Sequence, residues 1–366
     1  MKSLPLLFAL LCAVPVGCQA CAVVSSDMDE EIRTTNELAL IVWDAKTGTE
    51  HFIRQANFQT DAKDFGFLVP TPTKPQLAST NNALFNDLQR ELLPKTKIEA
   101  RRGINFTPFF VAGGDDEALE DTGINAAAST SAADEGDEAD MSAVEVVEQT
   151  RVGDYNASVL RASDTAALTN WLSSHKYSVT PDTRDWLEPY VRQGFFITAF
   201  QIAANRSSQS AQVQAVRLTF KADAPFYPYR EPNRAQQQTE PRSLELFLVG
   251  DTRVEGHIEN ADKKSPWPSQ VKYSAPLDAK NLQTSDILLP SEPLHLTAFV
   301  DDSAPRPGWG DLKFAPASDQ TEITPSPNII HEDRRVSIPI HLLIIFIIGA
   351  AMWWNWKRDR TFTPNT

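Results

Sequence analysis

The sequence predicts an α+β fold, mainly antiparallel β-sheet with two or three packed helices, followed by a C-terminal single transmembrane helix. Three observations carry that expectation. Several segments alternate apolar and polar residues with period two, as in Phe196, Thr198, Phe200 and Ile202, which marks strands with one face buried. Others repeat apolar residues at helical spacing, as in Leu84, Phe85, Leu88 and Leu92. The stretch Ile338 to Trp356 is almost wholly apolar, broken only by Pro339, His341 and Asn355, and a spanning helix needs about 20 such residues.

In chain order, Lys2, the apolar run Leu4 to Val16 and the small residues Gly17 and Ala20 have the layout of a secretory signal over residues 1–20. Cleavage after Ala20 leaves a chain starting at Cys21; a lipidated cysteine, at Cys18 or Cys21, is the competing reading. Leu38 to Trp43 is an unbroken apolar run of strand length. After the turn-like Lys46-Thr47-Gly48, His51 to Phe58 predicts the second arm of a hairpin. Phe65 to Val69 is a third strand, closed by Pro70-Thr71-Pro72, whose prolines cannot donate to a ladder. Ser79 or Thr80 is placed to cap a helix that Pro94 stops.

Between Arg102 and Arg151 there is no Lys or Arg, while aspartates and glutamates crowd among Ala, Ser, Thr and Gly. Such a composition buries too little apolar surface to offset the entropy of ordering it, so residues 113–141 are expected as a disordered acidic insert. Calcium binding is the functional rival; the carboxylates lack EF-hand spacing. Val144 to Val152 and Tyr155 to Leu160 predict two strands joined at Gly153-Asp154. Ser163-Asp164 caps a helix with Ala167, Leu168, Trp171 and Leu172 on one face, and Thr180-Pro181 opens another that Pro189 is expected to kink or split. Strands follow at Phe196 to Ile202, Val216 to Phe220, Leu244 to Leu248 and Leu294 to Val300, with a long loop through Phe226-Tyr227-Pro228-Tyr229-Arg230 and Gln236 to Gln238.

Residues 21–302 are therefore expected to fold as one extracytoplasmic α+β domain, and prolines 305, 307, 316, 325 and 327 suggest a stalk over residues 303–337. Membrane lipid is the partner expected for Ile338 to Trp356. Trp353, Trp354 and Trp356 resemble an interfacial belt, and Lys357, Arg358 and Arg360 predict that residues 357–366 stay cytoplasmic, leaving the N-terminal domain periplasmic or extracellular. No repeat of 20 to 50 residues is evident, which argues against solenoids and propellers.

The net charge of -14 argues against nucleic acid and against docking on anionic lipid by surface charge. The only cysteines, Cys12, Cys18 and Cys21, lie at the N-terminus, so the core is expected to rest on apolar packing with no disulfide framework. Asp64-Phe65-Gly66 spells a kinase triplet without a kinase's other motifs. His51, His175, His257, His295 and His331 stand singly, and neither a His-Glu-x-x-His pair nor a Gly-x-Ser-x-Gly elbow occurs. Asn105, Asn156 and Asn205 begin glycosylation sequons, meaningful only with an endoplasmic reticulum. No catalytic, cofactor-binding or metal-ligating residue is singled out, and no cofactor is expected. Phe226, Tyr227, Tyr229 and Trp267 fit either a partner surface or pins that hold loops to the core.

Several stretches, taken in order, resemble the bacterial DUF2330 family of exported, uncharacterised proteins. They are Cys21, Leu40-Ile41-Val42-Trp43-Asp44, Ala62 to Pro72, Ala166 to Leu172, Tyr190 to Phe196 and Phe226 to Arg230. Ala22-Val23 stands where that family often has glycines. The resemblance implies an exported bacterial domain and carries no catalytic residue over to this chain. The leading expectation is a membrane-anchored envelope module that binds or scaffolds other envelope components without catalysing a reaction, with an envelope protein as the partner considered and the small-molecule ligand unknown. The rivals are an envelope hydrolase with an unfamiliar site and a cation-responsive protein using the acidic insert.

Overall fold

A computed structural model of the chain describes residues 23–25, 32–60, 65–107, 144–202, 214–236, 242–282, 287, 289–291 and 293–359. The expected signal, the acidic insert, most of the Gln-rich run and residues 360–366 lie outside them. The first strands are β1 (Val23–Ser25), β2 (Ile32–Asp44), β3 (Thr49–Thr60), β4 (Phe65–Thr71) and β5 (Gln76–Thr80), followed by α1 (Ala83–Glu91) and β6 (Thr96–Thr107). The middle of the chain forms β7 (Val144–Val152), β8 (Tyr155–Ala162), α2 (Thr165–Ser174), α3 (Pro181–Arg192), β9 (Phe196–Ile202), β10 (Ala215–Lys221), β11 (Phe226–Tyr227) and α4 (Asn233–Gln236). The last part forms β12 (Ser243–Gly250), β13 (Val254–Glu259), β14 (Lys264–Pro266), β15 (Gln270–Leu277), β16 (Leu294–Asp301), β17 (Asp311–Pro316), β18 (Asn328–Pro339) and α5 (Ile340–Asp359).

The chain divides into two units, one of Met1–Leu93 with Ala139–Pro325 and one of Pro94–Glu138 with Ser326–Thr366. In the first, a seven-stranded sheet runs β15-β16-β12-β2-β3-β10-β5, antiparallel apart from the parallel pair β12 and β2. A five-stranded antiparallel sheet, β1-β4-β9-β8-β7, and a four-stranded one, β11-β17-β13-β14, complete this unit. The second unit pairs β6 and β18 in parallel, from Thr96 opposite Asn328 to Thr107 opposite Pro339, and α5 follows β18 directly.

The seven-stranded sheet explains the unbroken run Leu38 to Trp43. Ala39 and Ile41 point into one apolar cluster with Phe52, Leu218 and Leu246, while Leu40 and Val42 point into another with Ile53, Phe247 and the α1 residues Leu84, Phe85 and Leu88. A strand covered on both faces has no use for polar alternation. The same holds for the second half of β12, where Phe247 and Val249 are buried as well as Leu246 and Leu248, so this strand is not half-buried as its first residues suggest. The first cluster is the larger and is closed by α2, α3 and the other two sheets.

The expected elements are present, with several differences, among them an apolar helix that runs Ile340–Asp359 because Ile338 and Pro339 belong to β18, and a loop through Phe226 that contains β11 and α4. Ser79 and Thr80 belong to β5, and α1 starts later, where Asn81 Oδ1 accepts the Ala83 N–H at 2.9 Å. Helix α3 passes through Pro189 without a break. Pro189 is half-exposed and Asp185, whose carbonyl loses its helical donor there, is exposed, so that carbonyl is not left buried without a partner. Leu294 to Val300 is not the last strand of its unit. Instead β17 pairs antiparallel with β11 and β13, and Arg306, Leu312 and Phe314 are buried. The stalk expected over residues 303–337 is thus folded protein as far as Pro316, and β18 occupies residues 328–339. Proline content signals a missing donor and a fixed φ; it leaves the carbonyls and side chains free to pair.

Candidate functional site

The segment Phe226 to Arg230 organises the polar interior of the first unit. Only Phe226 and Tyr227 pair as a strand, with Lys313 and Leu312. Carboxylates hold the rest: the Phe226 N–H donates to Glu50 Oε2 at 2.7 Å and the Arg230 N–H to Asp311 Oδ1 at 3.1 Å. The Trp186 indole donates to the Arg230 carbonyl at 2.9 Å. Phe226, Tyr227, Tyr229 and Trp267 are all buried, so these aromatics fasten loops to the core rather than face a partner.

Beneath the segment lies an interior group of three carboxylates and three guanidiniums. Glu37 Oε1 accepts from Arg54 Nε at 2.6 Å and from the Tyr227 hydroxyl at 2.8 Å. Arg242 reaches Glu231 Oε2 at 2.5 Å, and Arg306 stands 3.6 Å from Glu231 Oε1 and 3.8 Å from Asp301 Oδ2. That Asp301 oxygen accepts from the Tyr229 hydroxyl at 2.6 Å and the Trp267 indole at 2.9 Å, while Ser303 N–H donates to the other at 2.9 Å. The formal charges balance, three against three.

Ionisation in this group depends on the contest between burial and partners. For Glu37, burial raises the pKa, but the charges of Arg54 and Arg306 and the hydrogen bonds from Arg54 and Tyr227 bring it below the ordinary carboxylate value. For Asp301, burial is likewise outweighed, by Ser303, Tyr229 and Arg306. For Glu231, burial prevails over Arg242 and Arg306, and its pKa is raised. Glu50 has no cation, so burial lifts it well above the usual range.

Arg230 departs from this pattern of matched charges. Its guanidinium lies over the Tyr190 ring, 5.8 Å from the centroid, and lines a cleft of about 320 Å³. Asp311 lines the same cleft, with Oδ1 occupied by the Tyr190 hydroxyl at 2.6 Å and by the Arg230 N–H. Burial raises the Asp311 pKa despite Tyr190, Arg230 and Lys313. Glu259 is the register partner of Asp311 across β13 and β17, an opposition of two carboxyl groups that is unfavourable if both ionise. Glu259 is tied to Lys313 at 3.2 Å and Lys264 at 3.8 Å. Phe195 and Phe226 form the apolar wall, edge to face at 5.8 Å.

A second cleft, of about 640 Å³, lies between α2 and β7, β8 and β9. It is lined by amides and hydroxyls such as Asn156, Ser158 and Gln201, by Lys176, and by Trp171, on which His175 stacks at 3.7 Å. The histidines stay dispersed: His51 bonds Thr219 at 2.8 Å and His295 bonds Ser274 at 2.8 Å. Among the described residues no three His, Cys, Asp or Glu side chains gather as a metal site would need. Asp64 lies outside the described residues, and Gly66 of the kinase-like triplet is a strand residue whose missing side chain lets β4 approach the Phe200 carbonyl. Arg230 belongs to a stretch already notable in sequence, whereas Asp311 and Lys313 fall in the proline-rich region that composition assigns to a stalk.

Fold and site together define an α+β domain with a charged interior and a cleft beside Arg230, in a chain with a long apolar helix near its C-terminus. The chain belongs to the DUF2330 family, described as an uncharacterized protein conserved in bacteria, which matches residues 14–294. Arg230 and Glu259 lie inside the matched region, Asp311 beyond it. No curated protein matches the chain. Among solved structures, the crystal structure of baculovirus P35 is similar with a TM-score of 0.36 and 6% identity, over 83% of this chain and 98% of that one.

Proposed function

We propose that this protein is a membrane-anchored component of the bacterial envelope whose extracytoplasmic domain binds or scaffolds other envelope components, held in lipid by α5. The carrying observation is that α5 is 20 residues long and exposed from Leu342 to Asp359, with Phe346 77% exposed. A core helix of a soluble domain would bury such side chains, and about 1.5 Å per residue gives α5 the reach of a bilayer's hydrocarbon layer. Trp353, Trp354 and Trp356 suit the interface, and Lys357 and Arg358 favour a cytoplasmic C-terminus. An export signal over residues 1–20 then places the rest outside, where a protein partner would be met.

Replacing Ile345 and Ile348 with Arg tests the anchor. Two charges at mid-bilayer cost roughly 5 to 7 kcal/mol on insertion scales, so the variant leaves the membrane fraction. In spheroplasts carrying the chain with Cys21→Ser, a membrane-impermeant thiol reagent should label a cysteine at Lys263 and spare one at Asn365 until the membrane is opened. Wild-type protein recovered from the cytosol, or Asn365→Cys labelled from outside, would sink the reading. The opposed Asp311 and Glu259, one with a raised pKa, favour a second reading as a hydrolase.

A further inference from the structure

We propose that Arg230 anchors a small carboxylic acid in the cleft it shares with Asp311, which would make this cleft the ligand site of the domain. The inference rests on the binding reading above. Arg54, Arg242 and Arg306 each stand beside a carboxylate, but among the described residues no carboxylate lies within ion-pair distance of Arg230. Its Nε is buried with no acceptor, as is that of Arg306, so what Arg230 offers the cleft is the outer edge of its guanidinium, whose terminal nitrogens have no hydrogen-bond partner among the described residues. Both backbone groups of Arg230 are fixed, by Asp311 and Trp186, and Tyr190 supports its guanidinium, so the fork is held in position before any ligand arrives.

Asp311 cannot serve as the partner through Oδ1, which already accepts twice. A guanidinium whose two terminal nitrogens are unmet matches a planar carboxylate, which takes two parallel hydrogen bonds. Asp311, Glu259 and Asp223 line the same cleft and disfavour a dianion, so a singly charged carboxylate suits it better than a phosphate. The Phe195 and Phe226 rings offer an apolar wall to the body of the ligand, and Gln193 and Asn260 supply amides. A volume of about 320 Å³ admits a small molecule or a chain end and excludes a folded protein. Arg230 also borders a smaller hollow of about 180 Å³ with Asp182, Asp185 and Glu231 and no second cation, whereas Lys313 joins Arg230 in the first cleft, which leaves that cleft as the site.

The test uses the full chain in detergent micelles, titrated by calorimetry with N-acetylalanine and glucuronate, their uncharged counterparts N-acetylalaninamide and glucose, and inorganic phosphate. At least one acid should bind at least tenfold more tightly than its uncharged counterpart and than phosphate. R230Q should weaken that acid by tenfold or more, and R230K should restore only part. The melting temperature of R230Q should fall by no more than a few degrees, because the change removes the Arg230 charge near Asp311 and its contact with Tyr190 but no direct ion pair. Failure of both acids to bind, equal binding of acid and uncharged counterpart, tighter phosphate binding, or acid binding that R230Q leaves intact each overturns the proposal. Crosslinking of wild type and R230Q in intact cells separates the two claims: envelope proteins captured by both keep the scaffolding reading while the ligand site falls.

Discussion

Removing the Arg306 side-chain charge is the most demanding perturbation of the interior. Arg306 is 2% exposed and lies between Glu231 at 3.6 Å and Asp301 at 3.8 Å, with its guanidinium 5.6 Å from the centre of the Tyr229 ring. Arg306→Met keeps most of the volume and leaves three buried carboxylates facing two guanidiniums. Breaking one partner of a buried ionic group costs about 3 to 5 kcal/mol, because the orphaned charge stays desolvated. For a unit of this size that corresponds to roughly 6 to 20 °C in melting temperature. Urea unfolding of the full chain, followed by tryptophan fluorescence, measures it.

Two further results separate lost charge balance from lost packing. Glu231→Gln added to Arg306→Met restores two anions against two cations, so the double variant should regain about 1 to 3 kcal/mol. The Glu231 pKa is already raised by burial, and losing Arg306 raises it further. A carboxyl with a raised folded pKa favours folding below its unfolded pKa and loses that contribution as pH rises, so the defect should be larger near pH 8 than near pH 5. A single variant within about 1 kcal/mol of wild type, or a deficit independent of both Glu231 and pH, would refute the reasoning.

Two other expectations follow from single residues. Glu50 is fully buried without a cation, and its raised pKa means that its protonated form favours folding in acid and that this is lost as pH rises. Glu50→Gln keeps an acceptor for the Phe226 N–H, so melting scans should show the variant more stable than wild type above about pH 6, with no such gain near pH 4; a constant offset at every pH contradicts this. Gly66→Ala places a methyl group against the Phe200 carbonyl of the neighbouring strand, and such overpacking costs about 1 to 3 kcal/mol or more. Chemical melts of the variant check it, and an unchanged midpoint removes the explanation offered for this glycine.

Strands β2, β3, β4, β9 and β10 were legible because burial writes itself into local order, as two-sided runs or period-two alternation. Asp164 announced α2 equally plainly, and its side chain accepts the Ala167 N–H at 2.8 Å. Strands β14, β15 and β17 were not legible. Each contains a proline, at Pro266, Pro276 and Pro316, and they take their pairing from distant strands, with which local composition has no correlation. The site was hidden for the same reason. Arg230 and Asp311 are 81 residues apart, and Tyr227 meets Glu37 across 190. No motif spacing encodes a meeting made only by the sheets.

The segment Phe226 to Arg230 also shows why structural and ligand-binding roles are separable here. Tyr227 and Tyr229 point inward, each donating to a carboxylate that an arginine also serves, so replacing either leaves buried charge less satisfied and should register as lost stability. Arg230 carries the same charge as its interior counterparts but lacks a carboxylate partner, and its surroundings already hold it in place through backbone contacts that survive a change of side chain. An arginine kept only for stability would be placed where Arg306 is, between two acids. One fixed beside a cleft without a carboxylate gains acceptors for its terminal nitrogens only when something else supplies them.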